Sequence, residues 1–287
     1  MLIPSRLLVG GRDPASPCSR GERILQTMTR RSVFFALMLT GLSVLGFLAS
    51  LAALGPDWTA YVPASCMATR CFCEAPRTGM LLLQPANTWS SFGYVLIGSL
   101  MLALPYDRDP DSALSQMSGR TLGVTAIVVG VGSGLLHATL TLWGQFFDVL
   151  GMYLVGSFLL ISAIARWRRI PDGAAVAFYA LLCLSLVTIL IVAPEVRRWL
   201  FAALLILAIV MELVFARRWR PGAKIAFYLW GLAATATAFG IWVLDQKGVV
   251  CAPYSLIQGH AVWHLLGAAS LWLSFSYYRS ERRHAAL

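Results

Sequence analysis

Apolar residues in this chain come in long unbroken runs separated by short polar interruptions. Neither the alternation of a half-buried strand nor the narrow stripe of a surface helix dominates. From Ser32 to Leu54 the chain is apolar behind Arg30 and Arg31, and seven further runs cover about 86–105, 119–140, 144–165, 173–193, 198–216, 224–244 and 256–278. Several approach or exceed the roughly 18 residues that mark a membrane-crossing helix. The pattern predicts an all-α integral membrane protein with a seven-transmembrane-helix core, 86–278, and one additional N-terminal transmembrane helix, 32–54. Residues 1–31 read as a disordered basic tail, 55–85 as an outer loop holding Cys66, Cys71 and Cys73, and 279–287 as a cytoplasmic tail. Met28 reads as an alternative start. The first run is long for a cleaved signal peptide and is expected to be retained.

Composition agrees with the pattern: 58% of residues are apolar and 13% charged, a balance no soluble domain carries. A net charge of +10 would suit a nucleic-acid binder if it were gathered in one patch. Here the basic residues fall between apolar runs. Counted on alternate sides of eight spans, 18 of the 23 Lys and Arg lie on the side of the N-terminus. The asymmetry predicts both termini in the cytoplasm, and the short loops suggest a bacterial inner membrane. The lipid bilayer is the expected partner, with no nucleic acid and no obligate protein partner.

The candidate chemistry centres on the stretch GVGSGLLHATLTLWGQFFD, residues 130–148. Ser133 and His137 stand four apart and so share a helix face, and Asp148 follows across a short corner. His260 and His264, in GHAVWHLL, repeat the spacing near the end of the chain. The topology brings all three histidines and Asp148 to the outer interface. Ionisable groups at such depth are costly and usually functional. Three imidazoles and a carboxylate make up the inventory of a catalytic zinc site, in which Zn²⁺ keeps a fourth position for water and lowers its pKa to about 7. Asp148 is then the candidate base and Ser133 the donor to a developing oxyanion or the group that positions water. Two other readings remain open: structural histidines bonded to neighbouring backbone, and haem ligation, which leaves Ser133 and Asp148 without roles. Gly130, Gly132 and Gly134 read as points of close helix approach rather than a phosphate loop, because no strand precedes them and no lysine follows.

The GxGSxxxHATLxxxGQxxD block, the HxxxH pair and a Cys-Glu followed by an Asn-Thr-x-Ser segment together resemble the alkaline ceramidase family. That family belongs to a wider superfamily of seven-helix membrane hydrolases that includes adiponectin-receptor-like proteins. The resemblance covers residues 73 to about 278. It implies a zinc-dependent amidase that cleaves the N-acyl bond of ceramide, with His137, His260 and His264 on zinc and Ser133 and Asp148 completing the site. The same mechanism on another acyl lipid is the alternative, and a receptor or transporter with a structural zinc is a third reading. The animal enzymes also carry a calcium site near the first loop. Here Glu74 remains, but Arg77 follows it and Gln84 stands where an acidic ligand is expected, so no such calcium site is expected and Arg77 is a candidate partner for Glu74. Cys66, Cys71, Cys73 and Cys251 all fall on the outer side, where two disulfides are expected. Sequence leaves the connectivity open; Cys73 with Cys251 is the preferred pair. Trp263, between the two ligand histidines, is expected to pack beside the site.

Overall fold

A computed structural model describes residues 29–68, 71–109, 112–216 and 223–282 of the chain. The tail expected over residues 1–31, with Cys18 and Met28, lies outside these up to residue 28, as do His284 and the rest of the chain beyond residue 282. Among the described residues the fold is all-α, with eight long helices. They are α1 (Arg30–Leu54), α2 (Pro85–Ala103), α3 (Gln116–Thr139), α4 (Leu142–Arg168), α5 (Asp172–Val192), α6 (Arg197–Val210), α7 (Ile225–Gln246) and α8 (Gly259–Ser280). A π-helical segment, Met211–Ala216, prolongs α6.

Local chemistry explains where the helices start and stop. Thr29 begins α1 by accepting from the N–H of Ser32 at 3.1 Å. Pro85 opens α2, in the first turn, where its missing N–H costs nothing. Ser115 caps α3 by accepting from the Ser118 N–H, and Thr141 caps α4 by accepting from that of Gly144. Between α3 and α4 only Leu140 and Thr141 intervene, fewer residues than the sequence suggested. So tight a turn requires a left-handed backbone at Leu140, φ 49°, which is uncommon for a residue with a branched side chain. The Leu140 carbonyl accepts from Ala64 N at 2.8 Å, and Leu83 N donates to the Ala138 carbonyl at 2.9 Å. The loop between α1 and α2 thus satisfies carbonyls that α3 leaves unpaired.

Six helical segments are long and apolar enough to cross a membrane, α6 counting together with the turns on either side of it as Pro194–Ala216, which fits a multi-pass membrane protein. The exceptions are α2 and α8, and the cause is local. They carry Asn87, Thr88, Ser90, Ser91, His260 and His264, nearly all buried against other helices rather than turned outward. Large apolar side chains such as Phe34, Val192 and Trp199 are instead exposed, as lipid-facing residues would be.

Helix α3 is the centre of the packing. It lies between α2 and α4; α2 also packs on α1 and α8, α8 on α7, and α4 on α5 and α6. Three of the five glycines of α3 permit this from three sides. A Cβ at Gly130 would stand 2.6 Å from Val95 and 2.7 Å from the Ser91 carbonyl of α2, one at Gly132 would run into the Phe147 carbonyl of α4, and one at Gly134 would meet Phe47 of α1 at 3.3 Å. Phe47 in turn packs edge-on against Phe92 of α2, ring centroids 5.1 Å apart, so the first helix is seated against the core.

A second polar cluster lies at the opposite end of α8 from its histidines. Arg166 bonds the buried Glu212, whose other oxygen accepts from Tyr277 at 2.8 Å, and Arg166 stacks over Tyr278 with 4.2 Å to the ring centre. Helix α8 continues to Ser280, so Arg279, expected in a solvated tail, is buried over Tyr106 with Asp109 at 3.9 Å.

Replacing Gly132 by Ala is expected to push α3 from α4 and lower stability by about 1–3 kcal/mol. Gly41→Ala on α1, where no atom lies within 4 Å, should be neutral or slightly stabilising. Thermal unfolding of both variants in detergent checks the contrast.

Candidate metal centre and active site

His137 comes from the last turn of α3, and His260 and His264 from the first two turns of α8. The three rings meet, with centroids 4.8 Å apart for His137 and His260, 5.0 Å for His137 and His264, and 4.5 Å for His260 and His264. One nitrogen from each lies within 4.8 Å of the others, and all three residues are buried. This group could hold a metal ion.

Hydrogen bonds to the far sides of two rings set which nitrogen faces inward. The Gln84 amide nitrogen donates to the Glu74 carbonyl at 2.7 Å, which leaves Gln84 Oε1 to accept from His137 Nδ1 at 2.9 Å. Gln84 N also donates to the His137 carbonyl at 3.0 Å, so one residue fixes both backbone and ring. With Nδ1 protonated, His137 Nε2 bears a lone pair; it is buried and has no partner among the described residues. For His264 the logic is the same. Ser90 and Ser91 each donate their hydroxyl proton to the Asn87 carbonyl, at 3.0 and 2.9 Å, so their oxygens are free to accept from His264 Nδ1 at 2.8 and 3.3 Å. His264 Nε2 is thereby left as an acceptor. His260 is held through its backbone, its N–H donating to Asp245 Oδ1 at 3.2 Å, and its Nδ1 is also buried without a partner. Buried lone pairs without donors are costly, and a cation shared among them removes that cost.

Ser133 lies one turn before His137, its Oγ 3.3 Å from His264 Nε2. Asp148 sits in the second turn of α4, where that helix comes closest to α3 beside Ser133. Gly132 makes this possible, because only a residue without a Cβ lets α4 come so close beside Ser133. The structure therefore brings all five expected site residues to one place.

The first loop closes this end of the bundle. Cys66 is bonded to Cys71, and Cys73 to Cys251 in the loop before α8. The first bridge is local, whereas the second ties the loop to α8; Cys183, inside α5, is free. The ring of Phe72, between the two bridges, packs at 4.5 Å from His137 and 4.4 Å from His260. Glu74 is 2% exposed and accepts from the N–H groups of Ala86 and Asn87 at 2.8 and 2.9 Å, a carboxylate at the positive end of α2. Burial nonetheless raises its pKa above the usual carboxylate value, against the pull of those N–H groups and of Arg77. Arg77 is exposed and reaches Glu74 only through its field, rather than by the pairing expected of it. Trp263 packs toward α7, on Trp242 at 6.1 Å and Phe239 at 6.4 Å, rather than beside the histidines.

A protein-family model described as Ceramidase matches residues 80–285. The chain belongs to the ceramidase family. No curated protein matches it. Membership implies a hydrolase acting on amides and fits a lipid substrate met in a bilayer. It also places α2 to α8, and with them every histidine of the cluster, inside the matched region, while α1 precedes it.

Ser91, Asp245 and Phe72 carry no sequence signal of a role at the site. Ser90 closes the Asn-Thr-x-Ser segment and Gln84 stands out as a departure from an acidic pattern, but neither is marked there as the partner of a histidine ring. Gln84→Leu, which keeps the bulk but removes the acceptor, is expected to weaken metal binding by about 10–100-fold, read by competition with a chelating dye.

Proposed function

We propose that this ceramidase-family chain is a zinc-dependent intramembrane hydrolase that cleaves the N-acyl amide of ceramide or a closely related lipid, giving a fatty acid and a sphingoid base. One observation carries the reading. Three buried imidazoles, two of them with the outer nitrogen already committed to Gln84 or to Ser90 and Ser91, meet beside Ser133 and the close approach of α4 that carries Asp148. His137, His260 and His264 would hold the zinc. Three neutral nitrogen ligands are the donor set that suits it and leaves a position open. Bound there, zinc supplies Lewis-acid activation of an acyl carbonyl and of water.

The protein's own groups do the rest. Asp148 accepts the proton of the attacking water and returns it to the departing amine nitrogen, so that the leaving group departs neutral. Ser133 donates its hydroxyl to the charge that develops on the carbonyl oxygen. Glu74 serves as an N-terminal cap for α2 in this reading and holds no calcium.

We further propose that all eight helices cross the membrane, that both termini are cytoplasmic, and that the site lies near the outer leaflet. Lys and Arg support this, being concentrated at the ends away from the histidines, and so do the two disulfides, which sit in loops at the histidine end. Lipid would then approach sideways from the bilayer, with its polar head toward the outer face.

Purified protein is expected to contain zinc and to hydrolyse a labelled ceramide. His137→Ala, His260→Ala and His264→Ala should each lose both metal and turnover, whereas Ser133→Ala and Asp148→Asn should keep the metal and lose about 100-fold or more in kcat. A zinc-replete, fully active His264→Ala protein would overturn the assignment. A panel of lipid amides and esters identifies the substrate, and bound zinc with no turnover on any of them would point to a structural metal.

A further inference from the structure

We infer that Phe72 is a stopper for the metal centre. Its ring closes the loop side of the histidine cluster, clamped by the disulfides on either side, and leaves the Ser133 and Asp148 side as the way in. The inference rests on the reading of the three histidines as metal ligands.

The ring touches two of the three histidines, at 4.5 Å from His137 and 4.4 Å from His260. Its chain neighbours are both buried half-cystines, Cys71 bonded to Cys66 and Cys73 to Cys251. The backbone is pinned on both flanks as well. The Cys71 carbonyl accepts from Gln246 Nε2 at 2.7 Å, and the Cys73 N–H donates to Asp245 Oδ2 at 3.2 Å. Asp245 is 2% exposed, and its other oxygen accepts from the His260 N–H at 3.2 Å. A single carboxylate therefore registers the stopper against one of the rings it covers. Little freedom is left for Phe72 to swing away, and a lone aromatic in a loop would not need four such restraints.

The opposite side of the cluster has a different character. Ser133 is 3.3 Å from His264 Nε2, and Asp148 comes beside it where α4 closes on Gly132, so polar groups with work to do approach the histidines from α3 and α4. An apolar wall on one side and hydrogen-bonding groups on the other give the centre a direction. A dry wall also limits solvent access, and so governs how fast a bound ion exchanges with water.

Two chelators test this. EDTA is confined to water and would reach the ion from the loop side; 1,10-phenanthroline partitions into the bilayer and would reach it from the other. In zinc-loaded protein in nanodiscs, Phe72→Ala is expected to speed zinc loss to EDTA by about tenfold and to leave loss to phenanthroline unchanged. Phe72→Leu, which keeps most of the bulk, should fall between Phe72→Ala and the native protein. Cys66→Ser/Cys71→Ser, which frees one flank and leaves the Cys73 bridge intact, should also speed loss to EDTA selectively. Equal rates in Phe72→Ala and native protein would overturn the proposal, as would equal acceleration with both chelators, the mark of general loosening. If Phe72→Ala does not fold, Phe72→Leu and the double serine variant decide by the same comparison. Native protein that binds no zinc would instead remove the metal reading itself.

Discussion

Three imidazoles buried ring against ring are the constraint on which the architecture depends. Each lone pair without a donor costs on the order of 1–3 kcal/mol. Left to relax, the rings would rotate to find protein donors. They are prevented from doing so from outside. Gln84 takes the outer nitrogen of His137, Ser90 and Ser91 take that of His264, and Asp245 holds the backbone of His260. Those restraints come from the first loop, α2 and α7, and the rings from α3 and α8, so the geometry exists only when all of these elements are assembled.

Much of this was legible in the sequence, for identifiable reasons. Long apolar runs have one stable form in a bilayer, and the helices fall within a few residues of where the runs predict them. The i, i+4 spacing of His260 and His264 places two rings on one helix face, and the parity of the spans brings His137 to the same end. What stayed hidden depends on contacts across the chain. Gln84 lies 53 positions from His137 and Ser90 174 from His264, and neither forms a motif with its partner. Phe72 looked like any loop aromatic. The hydropathy of α2 and α8 is lowered by the polar residues that make them interesting, so the helices nearest the chemistry are those that composition marks least clearly as spans.

The small residues of α3 do as much for the site as its polar ones. Gly130, Gly132 and Gly134 admit α2, α4 and α1 in turn, and the approach at Gly132 brings Asp148 to Ser133. The helix α1, which precedes the family-matched region, uses the third of these contacts through Phe47 and covers one flank of α2 and α3.

Helix α8 is anchored at both ends, by histidines and Asp245 at one and by Tyr277, Glu212 and the buried Arg279 at the other. A rod fastened twice can neither slide along its axis nor spin about it. The π-helical segment after α6 shares the second fastening, because Glu212 lies within it, so α6 is moored to the same rod at the end away from the histidines.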